Sequence, residues 1–249
     1  MADYDLYFHN DYDGVSAAVV LTDFFTKTGD RINNYFPVFH SAKTKNHWLK
    51  MKLKKPSIIV DFLYNPTARY WFDHHITGFP KKSWQKNFHP SEYKVWEPEA
   101  PSATSVIFRS LKKNFGYRPS AHIKNIVYWA DIIDTFNYSS PEEIVSFKKP
   151  AIKLAALIER SKDSQSELVK IIKAMTDMPI KNVVSLEPFK GKINKIKIEN
   201  NKELAFARKN MRVYEGKIAV LDISKTNFIL FRGIPYYLFK DISLRLDFG

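Results

Sequence analysis

Three short apolar runs in the first third of the chain each end on histidine or aspartate. Leu6-Tyr7-Phe8 leads into His9-Asn10-Asp11-Tyr12-Asp13-Gly14. Ser57-Ile58-Ile59-Val60 ends at Asp61, and Arg69-Tyr70-Trp71-Phe72 ends at Asp73-His74-His75. Each run reads as a strand, and in an open parallel α/β sheet ligands bind in the crevice outside the carboxyl ends of the strands. Alternate side chains of an extended segment share a face. His9, Asp11 and Asp13 therefore converge, unless the turn at Gly14 bends the last away. Carboxylates this close repel and resist joint ionisation without a cation between them. Taken alone, residues 8–14 also fit a polar strand-to-helix turn with Asp13 as N-cap. Three strand ends delivering such ligands together favour a site.

Further along, residues 15–27 carry Val15, Ala18, Val19 and Thr22 at helical spacing. The start of that helix faces the proposed site, and its dipole favours an anion there. A strand is predicted over 34–39, and residues 42–55, rich in lysine, read as a solvated helix or loop. Residues 76–92 mix Lys81, Lys82 and Lys86 with Phe79, Trp84 and Phe88. This pattern suits a nucleic-acid strand, or a loop pinned to the domain by its aromatics. A strand at 93–96 is followed by a helix from about 101 to 115, with Ser102, Thr104 and Ser105 at its start. A helix at 120–134 puts Ile123, Ile126, Val127 and Ala130 on one face. Asp134 continues that face and Asp131 lies close to it; a carboxylate there needs a partner. Helices are predicted over 141–180 and through 202–207. Strands are predicted at 218–221, 228–231 and 236–239.

With 249 residues, 45% of them hydrophobic, the chain is long enough for one large or two modest domains. The division is read as 1–187 and 188–249, a parallel-sheet α/β domain with helices on both faces and a smaller α/β domain after it. The chain has no cysteine, which excludes disulfides, zinc-thiolate sites and thiol nucleophiles. There is no signal-peptide pattern and no run long enough to span a membrane, so the expected location is the cytoplasm. The formal net charge of +13 suits a polyanionic partner such as nucleic acid, or else a lysine-rich solvated surface.

His9-Asn10-Asp11-Tyr12-Asp13-Gly14, Asp61 and Asp73-His74-His75, in this order and on strand ends, resemble the first three motifs of the DHH phosphoesterase superfamily. Its "His-Asn-Asp-x-Asp-Gly" form is most similar to the RecJ-type nuclease and nanoRNase branches. The fourth motif of that superfamily is an aspartate on or after a later helix. Asp131 and Asp134 both qualify, and the likeness of residues 134–141 to the pyrophosphatase branch favours Asp134. The resemblance covers roughly residues 4–140.

It implies a hydrolase that uses two divalent cations and an activated water on short oligonucleotides or single-stranded nucleic acid. Exopolyphosphatase or pyrophosphatase activity is the alternative, as is a non-catalytic nucleotide-binding module. His9, Asp11 and Asp61 would hold one cation. Asp13, Asp61, His74 and the fourth-motif aspartate would hold the other. The nitrogen and oxygen donors suit Mn²⁺ and permit Mg²⁺, Co²⁺ or Zn²⁺. His75 would contact the phosphate or protonate the leaving oxygen, with Asp73 orienting the histidines. Ser102 would lie near the substrate phosphate, although Ser102, Thr104 and Ser105 as helix caps are the simpler reading. The nuclease branches also carry a C-terminal Gly-Gly-Gly-His-like clamp. This chain has no Gly-Gly pair and no histidine after His122. Residues 241–246 resemble the strand before that clamp. The expectation is a minimal or truncated clamp, with Arg232 or Arg245 supplying phosphate contacts. An edge strand at 242–246 would need cover, for instance from a second copy in a homodimer.

Overall fold

A computed structural model describes residues 2–53, 55–214, 218–228 and 233–239. They fall into two compact units, 1–137 with 158–183, and 138–157 with the remainder.

The first unit opens with β1 (Asp3–His9), α1 (Tyr12–Thr28), β2 (Arg31–Val38), α2 (Ala42–Trp48) and β3 (Ser57–Val60). It continues with β4 (Tyr70–Asp73), α3 (Lys82–Lys86), β5 (Lys94–Trp96), α4 (Ala103–Phe115) and α5 (Ala121–Asp134). All five strands are parallel, in the order β2-β1-β3-β4-β5. The register pairs Leu6 with Ile58 and Ile59 with Trp71, so the strand ends line up along one edge. β3 and β4 are buried along their whole length, as strands covered on both faces must be. On one face Tyr4 and Tyr70 meet Phe25 of α1. On the other, Ile59 and Trp71 pack with Trp48 of α2 and with Tyr64, Phe79, Trp84 and Phe88.

That second layer decides between the two readings of residues 76–92. Phe79 and Phe88 lie 5.0 and 5.3 Å from the Trp71 ring, so the aromatics pin the segment to the domain. The lysine-rich segment after β2 is likewise anchored, because Trp48 is 2% exposed and donates its indole N–H to the Leu63 carbonyl at 3.0 Å.

The chain then forms α6 (Pro141–Val145), α7 (Pro150–Ser161), α8 (Gln165–Asp177), α9 (Ile180–Val183) and α10 (Phe189–Asn210). The last elements among the described residues are β6 (Arg212–Tyr214), β7 (Ile218–Val220) and α11 (Gly233–Leu238). β6 and β7 pair antiparallel, in keeping with the strand predicted from 218. Residues 236–238 of the strand predicted at 236–239 lie instead in the helix α11. Pro235 sits in its first turn, where a missing N–H costs nothing, and a run of four apolar residues carries no period to separate helix from strand. Residues 229–231 of the strand predicted at 228–231, the segment 241–246, and Arg232 and Arg245 lie outside the described residues. Among the described residues no helix is long and apolar enough to cross a membrane.

Candidate metal centre

The carboxyl edge of the sheet gathers the candidate ligands. His9 closes β1, Asp61 follows β3, Asp73 closes β4 and His74 and His75 come next. Asp11 is the N-cap of α1, its carboxylate accepting from Gly14 N at 3.0 Å, a role that the sequence pattern gives to Asp13. Gly14 is required by space: a Cβ there would collide with the His9 carbonyl. The bare backbone thus lets the first turn of α1 close against the strand end. Asn10 donates its side-chain amide to the Lys162 carbonyl at 3.0 Å and ties the turn after β1 to that residue.

Asp13 is freed from capping its own helix and reaches the start of α4. Its two oxygens accept from Ala103 N at 2.7 Å and Thr104 N at 3.0 Å, and its carbonyl accepts from the Thr104 hydroxyl. Burial raises its pKa, and the repulsion of Asp11 adds to this against the pull of those donors.

Three groups of donor atoms cluster here, those of each group within 4.8 Å of one another: His9, Asp11 and Asp61; Asp13, His74 and Asp134; Asp61, His74 and His75. His9 Nδ1 lies 2.9 Å from Asp11 and 3.5 Å from Asp61. His74 Nε2 lies 3.3 Å from Asp134 and 3.8 Å from both Asp13 and Asp61. The Ala100 carbonyl, 3.0 Å from His74 Nδ1, only accepts, so the proton sits on Nδ1 and Nε2 keeps a lone pair for a ligand. Asp61 is 1% exposed and belongs to two of the three groups. It adopts a left-handed backbone at φ 55°, uncommon for a residue with a side chain, with its N–H held by the Phe72 carbonyl.

The electrostatics fit cations. Both Asp61 oxygens and His74 Nε2 are buried without a hydrogen-bond partner, a combination that native proteins avoid unless an ion completes it. Burial, then Asp13, Asp11, Asp134 and Asp73, push the Asp61 carboxyl well above the usual range. Burial and Asp13 push Asp134 up to about 8. Burial opposes charge on His9, but Asp11 beside it raises the imidazole overall. His75 is raised chiefly by its 2.9 Å hydrogen bond to Asp73. The donors are imidazole nitrogens and carboxylate oxygens without sulfur, a set suited to Mn²⁺ or a similar divalent cation.

Of the two fourth-motif candidates, the structure brings Asp134 to His74. Asp131 instead accepts from the Ser102 and Ser105 hydroxyls at 2.5 and 2.6 Å. Ser102 is fully buried, and its hydroxyl also accepts from Ser105 N as the N-cap of α4. Sequence reasoning passes over His40, yet its ring lies 5.0 Å from His9 and 5.8 Å from His75. The signal is present, since His40 also follows a strand end.

No family model matches the sequence, and no curated protein matches it. Among solved structures, a pGpG-specific phosphodiesterase, PggH from Vibrio cholerae, superposes with a TM-score of 0.72 at 19% identity, over 96% of this chain and 75% of that one. RecJ from Thermus thermophilus in complex with Mn²⁺ gives 0.47 at 14% identity, over 84% of this chain and 37% of that one. By the order of its parallel sheet and its likeness to PggH, this chain shares the fold of that structure, with histidine and aspartate side chains at the carboxyl ends of its strands.

Proposed function

We propose that the protein is a cytoplasmic metal-dependent phosphodiesterase that hydrolyses short oligonucleotides or single-stranded nucleic acid. The observation that carries the reading is Asp61, whose two buried and unpartnered oxygens stand between two sets of nitrogen and oxygen donors. In this reading His9, Asp11 and Asp61 hold one divalent cation, and Asp13, Asp61, His74 and Asp134 hold a second, most suitably Mn²⁺. When bound, such a pair supplies positive charge to the phosphoryl oxygens and acidifies an attacking water. Asp73 accepts a hydrogen bond from His75 Nδ1–H and favours the imidazolium, whose Nε2–H is then the proton given to the leaving oxygen. Asp131 acts through position, tying the start of α4 to α5. Arg232 and Arg245 remain proposed phosphate contacts.

PggH acts on pGpG, a dinucleotide, which supports a short substrate here. The net charge of +13 suits any polyanion, so polyphosphate and pyrophosphate belong in the test. Purified protein with Mn²⁺ is assayed against dinucleotides, longer RNA and DNA, cyclic dinucleotides, polyphosphate and pyrophosphate. Release of mononucleotides that stops in EDTA and in Asp61→Ala supports the reading. Turnover confined to the inorganic phosphates, or undiminished in EDTA, overturns it.

A further inference from the structure

Between the proposed ligands His9 and Asp11 stands Asn10, which carries a neutral amide and is 7% exposed. Successive side chains of an extended segment point to opposite sides. His9 and Asp11 meet on one side, with the imidazole Nδ1 2.9 Å from the carboxylate. Asn10 leaves on the other, and its Nδ2 donates to the Lys162 carbonyl at 3.0 Å. Its backbone N–H donates to the Val38 carbonyl at the end of β2, also at 3.0 Å. The backbone between the two ligands is therefore held from two directions.

The turn that carries Lys162 joins α7 to α8 and is itself anchored. Ser164 N donates to the Ser161 carbonyl at 2.8 Å and closes the turn. Gln165 donates its side-chain amide to the Tyr35 carbonyl of β2 at 2.5 Å. Behind it, Leu168, Ile171, Ile172 and Met175 of α8 are fully buried. The Lys162 carbonyl is thus a fixed acceptor, presented by helices packed in the core.

The chemistry of position 10 is narrow. A carbonyl only accepts, so its partner must donate. An ionised carboxylate there could not donate, and would add charge beside Asp11, Asp13 and Asp61, whose repulsion already disfavours ionisation. A neutral amide meets both demands.

We propose that Asn10 is a positioning residue for the cation held by His9, Asp11 and Asp61, acting through the turn between α7 and α8. Its tie sets the backbone from which His9 and Asp11 present their donors. Asp13 and His74 are fixed by other partners, the backbone of residues 100–104, so their half does not depend on it. The inference rests on the two-cation reading and adds to it a residue that touches neither cation nor substrate.

The test titrates the metal-free full chain with Mn²⁺ alone, by calorimetry, so that no turnover is needed. The wild type should bind in two steps. Asn10→Ala, and Asn10→Leu, which keeps the bulk without the donor, should weaken one step about 10–100-fold and leave the other in place. Electron paramagnetic resonance at the Mn²⁺ level that fills both wild-type sites should then show an isolated ion in the variants and a coupled pair in the wild type. Asn10→Gln, which restores a donor, should recover part of the loss. Asn34→Ala, which removes the comparable amide bond to Asp5, should change neither step. A wild type that binds no Mn²⁺ overturns the metal centre itself, and this inference with it. Two wild-type steps that both Asn10 variants leave unchanged overturn the inference alone. So does a single wild-type step, a weakening of both steps together, or an equal loss in Asn34→Ala.

Discussion

At the scale of single residues the centre is a stored repulsion. Asp61 and Asp134 are held above the ordinary carboxylate value of 3.8 because burial and neighbouring carboxylates disfavour their charge. A folded pKa above the unfolded one stabilises the protein below about pH 4, and that contribution is lost as pH rises through about 8 at Asp134. The urea midpoint of the protein in EDTA should therefore fall between about pH 5 and about pH 9, and Asp134→Asn should flatten the fall. A midpoint that rises in that window refutes the electrostatic account. Asp61→Asn should separate stability from function. Without metal at about pH 8 it should be more stable than the wild type, because a buried charge that the fold disfavours is gone, while hydrolysis falls to background. A less stable metal-free variant would mean that Asp61 is a structural residue.

At the scale of elements, the clasp between α4 and α5 is the piece that sequence reasoning could not see. Asp131 and Asp134 sit on one helix, three residues apart, and a helical pattern alone places both near the strand ends. The two serine hydroxyls on Asp131 come from 26 and 29 residues away, and only the fold brings them together. Asp131→Ala should weaken Mn²⁺ binding about 10–100-fold, as removal of a partner behind a ligand does, measured by calorimetry. Asp131→Asn, which can still pair with the hydroxyls, should recover part of the loss. Loss as complete as in Asp134→Ala would make Asp131 a ligand. The strand ends are legible because each run stops at a charged or imidazole residue, and the helix starts because Ser102 and Ser120 cap as their type predicts. Asp13 reads as a cap of its own helix because a sequence does not show that α4 offers it two N–H groups. Trp48 is hidden among lysines, whose charge masks its anchoring role.

At the scale of the whole molecule, the charge of +13 concerns reach and rate more than fold. Binding of a ten-nucleotide single strand should weaken with salt, by a log–log slope near about −0.7 for each phosphate contacted. A dinucleotide should show a much shallower slope, since it offers so few phosphates. Equal slopes for the two, measured by fluorescence anisotropy from about 50 to about 300 mM salt, would confine all useful charge to the metal centre.

The two halves of the centre are not equally prepared. Asp13 and His74 are fixed by backbone groups of residues 100–104, before any cation arrives. Asp11 is held by its own helix start and by the His9 ring, itself a proposed ligand. The molecule is thus half lock and half latch. One cation should enter a rigid seat, and the other should have to organise its own. Hydrolysis would then respond to cation supply as a threshold, silent while only the seat is filled. Calorimetric titration with Mn²⁺ should give two steps, and His9→Ala should erase the weaker one alone. A single step with two cations per chain would mean that the halves close together.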